Sequence, residues 1–228
     1  MAPGGLPSCF ITGCDILIEL YTGTPGSGKS LHAAETIYWR LKAGRPVICN
    51  FEIEPGYIKG YKSNFFYCPN DKLTPEVLYE FSKAYFAESG NTYKEDSILL
   101  VIDECQLLFN ARAWSRTDRS GWLSFFTQHR KYGYLVILVA QNDRMLDRQV
   151  RSLVEYEEVH RKVSNFGIFG AFLKAIFHKE VFFAVRRWYP LKERVDLYMF
   201  VPRKRYFRLY DTRALFDSDN NNGITGGK

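Results

Sequence analysis

The chain has 228 residues, 46% of them hydrophobic and 25% charged, with a formal net charge of +6. That composition is ordinary for a globular protein with a full apolar core, and it excludes a chain too polar to bury one. The mild basic excess suits phosphate-rich partners or an anionic membrane surface and equally suits a solvated face.

Residues 1–15 read as an N-terminal extension. They lack the basic start of a signal peptide, and Asp15 and Glu19 interrupt the apolar stretch. "ILIELYT" (16–22) reads as a strand. "SLHAAETIYWRLKAG" (30–44) reads as a helix with Leu31, Ala34, Ile37, Tyr38 and Leu41 on one face and Gly44 at its end. "PVICNFEI" (46–53) is a second strand. "TPEVLYEFSKAYFAES" (74–89) is a helix with Thr74 as N-cap and Pro75 in its first turn. "SILLVID" (97–103) is a third strand, "SGWLSFFTQHRKYG" (120–133) a helix ending near Gly133, and "YLVILVA" (134–140) a fourth strand.

Strands that are apolar throughout belong inside a parallel sheet covered by helices on both faces, and strand–helix alternation points the same way. From Glu155 the texture changes. "EYEEVHRKV", "VFFAVRRWYP" and "RVDLYMFV" alternate and carry many charges, as short, partly exposed, antiparallel edge strands do. The expected architecture is α/β, with a mostly parallel central sheet flanked by helices, plus a C-terminal β-rich edge or extension. Residues 16–154 form the core, 155–212 an extension of the same domain, and 213–228 a polar, Gly-rich tail.

Five cysteines are present, an odd number without a CxxC pair. Cys49 and Cys105 lie in apolar runs, which favours buried thiols and a reducing, cytoplasmic compartment. The four histidines are scattered, which argues against a zinc site. No run of about 18 uncharged apolar residues is present to span a bilayer. "NFGIFGAFLKAIFHK" (165–179) reads as a hydrophobic helix or loop packed on the core, with a membrane-interface role as the alternative. "RRWYPLKER" and "PRKRYFR" mix basic and aromatic residues, as single-strand binders and exposed strand hairpins both do.

The strongest motif is Gly23-Thr24-Pro25-Gly26-Ser27-Gly28-Lys29-Ser30, which fits G-x-x-x-x-G-K-[ST] between a strand and a helix. Backbone N–H groups that converge on an anion need unusual dihedrals and little side-chain bulk. The helix that follows adds unpaired donors and a positive dipole end. Lys29 then faces the β- and γ-phosphates of ATP, Ser30 offers its hydroxyl to Mg2+, and Leu31 closes the nucleotide-binding segment.

The third strand ends in Asp103-Glu104, where acids project into the ligand crevice of a parallel sheet. Asp103 would hold Mg2+ through a water, and Glu104 is placed to activate the attacking water as general base, which makes the expected core a P-loop NTPase (RecA-like). A Glu directly after the Asp favours hydrolysis over phosphate transfer to a small acceptor. Gln141 ends the fourth strand and would orient the water or sense the γ-phosphate. Arg130 before that strand, or Arg144, Arg148 and Arg151 just after it, could reach a neighbouring subunit's nucleotide as an arginine finger.

"LYTGTPGSGKS", "RPVICNFEI", "LLVIDECQLLFNAR", "FFTQHRKYGYLVILVAQN" and "LDRQVRSLVE" together resemble the Zot (zonular occludens toxin) family, the filamentous-phage assembly ATPases or gene I proteins, over roughly residues 16–211. The resemblance implies a cytoplasmic ATPase domain that powers extrusion of a single-stranded DNA phage. Its partners would be other copies in a homo-oligomeric ring, phage single-stranded DNA or its coat and packaging proteins, and an inner-membrane assembly complex. It also implies a location at the cytoplasmic face of the host bacterial inner membrane, through a C-terminal membrane helix missing from this sequence. It carries the nucleotide role to Gly23–Ser30, the metal and base roles to Asp103 and Glu104, the sensor role to Gln141, and the finger to Arg130. Two other readings stay open: a small-molecule P-loop kinase with residues 110–121 as its lid, and a non-catalytic, nucleotide-dependent membrane scaffold.

Overall fold

The structure, a computed structural model, describes residues 18–90, 93–111, 119–162, 181–201 and 203–209. The two terminal segments, the 165–179 stretch and most of the expected lid lie outside those residues. Five parallel strands carry the core: β1 (Ile18–Thr22), β2 (Val47–Cys49), β3 (Phe65–Tyr67), β4 (Ile98–Ile102) and β5 (Tyr134–Val139). The helices between them are α1 (Lys29–Lys42), α2 (Pro75–Ser89), α3 (Arg119–Gln128) and α4 (Arg148–Ser152). β6 (Tyr156–Lys162), β7 (Phe182–Trp188), β8 (Glu193–Phe200) and α5 (Lys204–Leu209) follow.

All eight strands form one sheet in the order β3-β2-β4-β5-β1-β6-β7-β8. β1, β2, β4 and β5 are buried at every position; β2, β4 and β5 are apolar throughout, and the polar Glu19 and Thr22 of β1 are paired with Arg186 and Glu157. Alternate residues serve opposite faces. Leu20, Leu100, Ile102, Val136 and Leu138 pack with Leu78, Phe86, Trp122, Phe125 and Val150 from α2, α3 and α4. Tyr21, Val101, Ile137 and Val139 pack with Ala34, Ile37 and Leu41 of α1 and with Tyr206 and Leu209 of α5.

Local chemistry sets the helix ends. The Val77 N–H donates to the Thr74 hydroxyl (3.4 Å) at the expected N-cap, and Pro75 opens α2. The helix expected over 120–133 stops being α-helical at Gln128. Residues His129–Tyr132 tighten into a 3-10 turn that Gly133 ends at φ 73°. A Cβ on Gly133 would lie 2.8 Å from the Phe86 ring and 2.9 Å from the Lys94 carbonyl, so glycine is required for both conformation and space.

The C-terminal part differs from expectation in two respects. β6 is not an edge strand: it pairs in parallel with β1 from Glu19↔Tyr156 to Thr22↔Val159, and the antiparallel part begins only with β7. Two of its charged residues hide this because they are paired inside the fold, Glu157 with Thr22 and Lys192 and Glu158 with Arg186. "PRKRYFR" is not a strand either. It contributes helix α5, where the Arg205 guanidinium lies 5.0–5.3 Å from the ring centres of Tyr38, Trp39 and Tyr206. Its aromatic and basic residues close α5 onto α1 by packing and cation–π attraction.

Trp122 is 1% exposed and meets Phe109 and Phe126 at ring-centre distances of 5.0 and 5.5 Å. Trp122→Ala should cost about 3–5 kcal/mol of stability, which urea unfolding would read as a lower midpoint at unchanged slope.

Candidate functional site: a phosphate loop and an acid pair at the end of a parallel sheet

The 23–30 loop leaves the C-terminal end of β1 and feeds the N-terminus of α1. Gly23, Gly26 and Gly28 have φ of 145°, 73° and 97°, the left-handed values that the motif's glycines allow. Two of them are also sites of close approach. A Cβ on Gly23 would meet the His160 carbonyl at 2.5 Å, and one on Gly28 would meet the Phe182 ring at 2.7 Å. The loop is therefore seated against β6 and β7. On its other side the Gly23 N–H donates to the Gln141 carbonyl (3.3 Å).

α1 begins at Gly28 without a side-chain cap and without an acidic residue in its first turn. α2 and α4, by contrast, are capped by Thr74 and Asp147. The uncapped end leaves α1's positive pole to a ligand. Thr24, Pro25 and Gly26 are exposed at the loop's crest, while Ser27 and Lys29 are buried. The Lys29 ammonium turns back into the loop and donates to the carbonyls of Gly23 (2.8 Å) and Thr24 (3.2 Å). Burial lowers its pKa, and Glu104 and Asp103 push the other way. The loop and the acid pair therefore share one electrostatic site.

The acids extend from β4. Asp103 is held by its backbone: its N–H donates to Asn50 Oδ1 (2.7 Å), and its carbonyl accepts from Asn50 Nδ2 (2.9 Å). Asn50 also donates to Asn70 Oδ1 (2.8 Å). Glu104 has φ 45° and ψ 42°, a left-handed conformation unusual for a residue with a side chain. Its N–H donates to Asp103 Oδ1 (2.8 Å), and Gln106 Nε2 donates to its carboxylate. The chain turns sharply after β4, so Gln106 holds the Glu104 carboxylate from the 3-10 turn that follows. Asn50 and Gln106 are functional-site residues that sequence reasoning missed. The available signal for Asn50 was its place directly after a buried strand, on the same sheet end as the acids.

The structure brings Gly23–Leu31, Asp103, Glu104 and Gln141 to one end of the sheet. Arg130 it does not. That residue precedes β5, at the opposite end of a six-residue strand, roughly 20 Å from the loop's end of the sheet, and it pairs with Glu155 at 2.6 Å. Of the alternatives, Arg144 and Arg148 are exposed and follow the C-terminal end of β5.

Beneath the loop lies a neutral histidine pair. His160 Nδ1 faces the carbonyls of Glu158 (2.8 Å) and Thr22 (3.3 Å) and therefore carries the proton. Its Nε2 is then the acceptor for the Nδ1–H of His32, 2.9 Å away. Nearby, Arg186 bridges Glu19 (3.0 Å) and Glu158 (3.5 Å), tying β7 to β1 across β6. Burial raises the pKa of both carboxyls, Glu158 well above its ordinary value.

A glycine-lined loop on an uncapped helix, with a strand-end acid pair beside it, defines the P-loop nucleotide-binding class. A sequence profile of the family "Zonular occludens toxin (Zot)" matches residues 17–215, and the chain belongs to that family. It is 26% identical over 212 residues to the gene 1 protein of Enterobacteria phage I2-2 and 28% identical over 218 residues to that of Salmonella phage IKe. Each match covers 89% of this chain and 58% of the relative, so the chain spans just under three-fifths of either protein. The N-terminal domain of zonular occludens toxin from Neisseria meningitidis has the same fold. It aligns with a TM-score of 0.54 at 18% identity, over 87% of this chain and all of that one.

Burial, chiefly, lowers the His32 pKa from 6.5 to about 4, and it lowers that of His160 well below the ordinary value. Ring nitrogen NMR should find both rings neutral at pH 6, in the Nδ1–H form. A titration of both near pH 6.5 would contradict the pairing. An unfolded chain binds protons at these positions first, so the pair should lower stability as pH falls from about 7 toward 4. Glu19 and Glu158 slope the other way, and the double variant His32→Asn/His160→Asn isolates the histidine contribution.

Proposed function

We propose that the domain binds and hydrolyses Mg-ATP. The observation that carries this reading is the meeting of loop and acids at Lys29, which hydrogen-bonds the loop's own carbonyls while lying in the field of Asp103 and Glu104. The loop amides and the α1 pole would hold the α- and β-phosphates, and Lys29 would exchange its two carbonyls for phosphate oxygens. The Ser30 hydroxyl and the Asp103 carboxylate form an oxygen-only donor set, suited to a hard cation such as Mg2+. Bound there, the ion would neutralise charge on the phosphate oxygens. Glu104 would accept the proton of the attacking water as its oxygen joins the γ-phosphorus and the β–γ bridge breaks, giving ADP and phosphate. Gln106 holds that carboxylate in place, and the exposed Gln141 would orient the water.

Family membership supports a wider reading: a motor-type ATPase at the cytoplasmic face of the bacterial inner membrane, assembling or extruding a filamentous phage. Its partners would be further copies in a ring, phage single-stranded DNA or coat proteins, and a membrane complex. Among the described residues no helix is long and apolar enough to cross a membrane. In such a ring the finger would be an arginine of a neighbouring copy, with Arg130, Arg144 and Arg148 as the candidates.

Lys29→Ala should abolish measurable hydrolysis and weaken nucleotide binding. Glu104→Gln should keep binding near the wild-type level and lower kcat by about 100-fold or more, as loss of a general base does. Phosphate release and calorimetric titration with ATP measure the two effects. Turnover at the wild-type rate in Glu104→Gln would remove that residue from the mechanism, and turnover only with an added metabolite would point to a kinase.

Separately, Gln106→Leu tests whether the Glu104 carboxylate needs its orienting hydrogen bond. Turnover should fall about tenfold or more at nearly constant affinity. Unchanged turnover would mean that Gln106 serves only the local fold.

A further inference from the structure

The strand order gives the bound tail a direction. The acids stand at the end of β4 and Gln141 at the end of β5, both on one side of the loop at β1. The terminal phosphate must lie on that side, where the metal ligand and the base are. The nucleoside must then leave the loop on the opposite side, over the ends of β6, β7 and β8.

A pair of phenylalanines waits there. Phe182 opens β7 and Phe200 closes β8, and the antiparallel register sets them opposite one another. Their rings stack with centres 5.6 Å apart and planes 20° from parallel. Phe182 is buried and its ring lies over Gly28, at the foot of the loop. Phe200 is only half-buried, and it sits 5.1 Å from the ring of His32 in the first turn and a half of α1. An aromatic ring left partly open at the last position of an edge strand, beside the N-terminus of the phosphate-binding helix, has a face to offer a flat ligand.

We propose that Phe200, backed by Phe182, is the platform on which the nucleobase of the bound triphosphate stacks. The inference rests on the nucleotide reading of the loop and goes further by naming the base subsite and its mode of recognition. Phe182 and Phe200 offer ring surface without a hydrogen-bonding group. Stacking reads the π-face that every base has, so discrimination between ATP and GTP should be weak. It also gives the C-terminal hairpin a part in substrate binding: β7 and β8 supply the base contact, while β1 and α1 supply the phosphate contacts.

The test compares a ligand that has a base with one that lacks it. The full chain is titrated calorimetrically, in the presence of magnesium, with ATPγS, GTPγS and inorganic tripolyphosphate. The variants are Phe200→Leu, which keeps apolar volume and removes the ring, and Phe200→Tyr, which keeps the ring. Urea unfolding confirms that each is folded. In Phe200→Leu both nucleotides should bind about tenfold more weakly or worse, the scale of one base–aromatic stack, with tripolyphosphate unchanged. Phe200→Tyr should bind all three like the wild type. Nucleotide affinity that is unchanged in Phe200→Leu would overturn the platform. So would an equal loss for tripolyphosphate, because Phe200 would then act through the loop. Failure of all three ligands to bind the folded wild type would overturn the phosphate-loop reading itself, and the platform with it.

Discussion

The contact on which the site depends is the approach of Gly23 to the His160 carbonyl, where an added Cβ would stand at 2.5 Å. It fixes the point at which the chain stops being strand β1 and becomes loop. β1 cannot shift to relieve it, because β5 and β6 hold it on both sides in parallel register. At the far end of the loop, Phe182 closes over Gly28 in the same way. The phosphate cradle is therefore shaped from below by strands 130 and more residues further along the chain. The glycines permit the dihedrals, and β6 and β7 remove the alternatives.

The buried charges in that region follow from the same requirement. Arg186 reaches across β6 to Glu19 on β1 and lies with its guanidinium 4.4 Å from the Tyr156 ring centre. Removing ions from water costs several kcal/mol each, so such a cluster is weak evidence for net stability. Its effect is positional. Burial raises the pKa of Glu19 and of Glu158, the latter well above its ordinary value, and the Arg186 guanidinium between them pulls both the other way. That balance locks the C-terminal hairpin to the strand that carries the loop. On the opposite face Glu157 does related work, accepting from the Thr22 hydroxyl (2.9 Å) and from Lys192 (3.0 Å) in the hairpin turn.

The legible parts of the sequence were those in which local pattern and tertiary environment agree. β4 and β5 are apolar throughout because both faces are covered, and the phosphate loop sits in the strand–helix context its chemistry demands. β6 was harder to read because burial of Glu157, Glu158 and His160 depends on partners in β1, β7, α1 and the hairpin turn. β3 escaped notice because three half-exposed residues carry no periodicity, and only pairing with β2 makes them a strand. Asn50 and Gln106 were invisible for a related reason. Each acts on an acid brought near by a sheet crossing or by the left-handed turn at Glu104. Arg130 stands at the end of β5 away from its own chain's loop, so a finger role there could act only on a neighbouring copy. Strand direction decides the matter, since a residue before a parallel strand lies at the end away from the ligand.

The sheet order separates the two halves of the candidate site. The loop belongs to β1 and the acids to β4, and these strands are not neighbours, because β5 lies between them. A triphosphate that touches both must cross the end of β5. The same residue there, Gln141, accepts the Gly23 N–H through its carbonyl and presents its side chain to solvent. Lys29 meanwhile is already oriented by two loop carbonyls, so phosphate binding exchanges its partners and does not have to order a free side chain. The binding half of the site is thus preorganised. The half of the site at β4 holds a left-handed Glu104, a conformation that costs of order 1–3 kcal/mol and persists only while its surroundings impose it. Gln141, after the end of β5, contacts the loop at Gly23, and the β4–β5 register at Ile102↔Leu138 joins the same strand to the one that carries the acids. In this architecture the end of β5 touches both halves of the site.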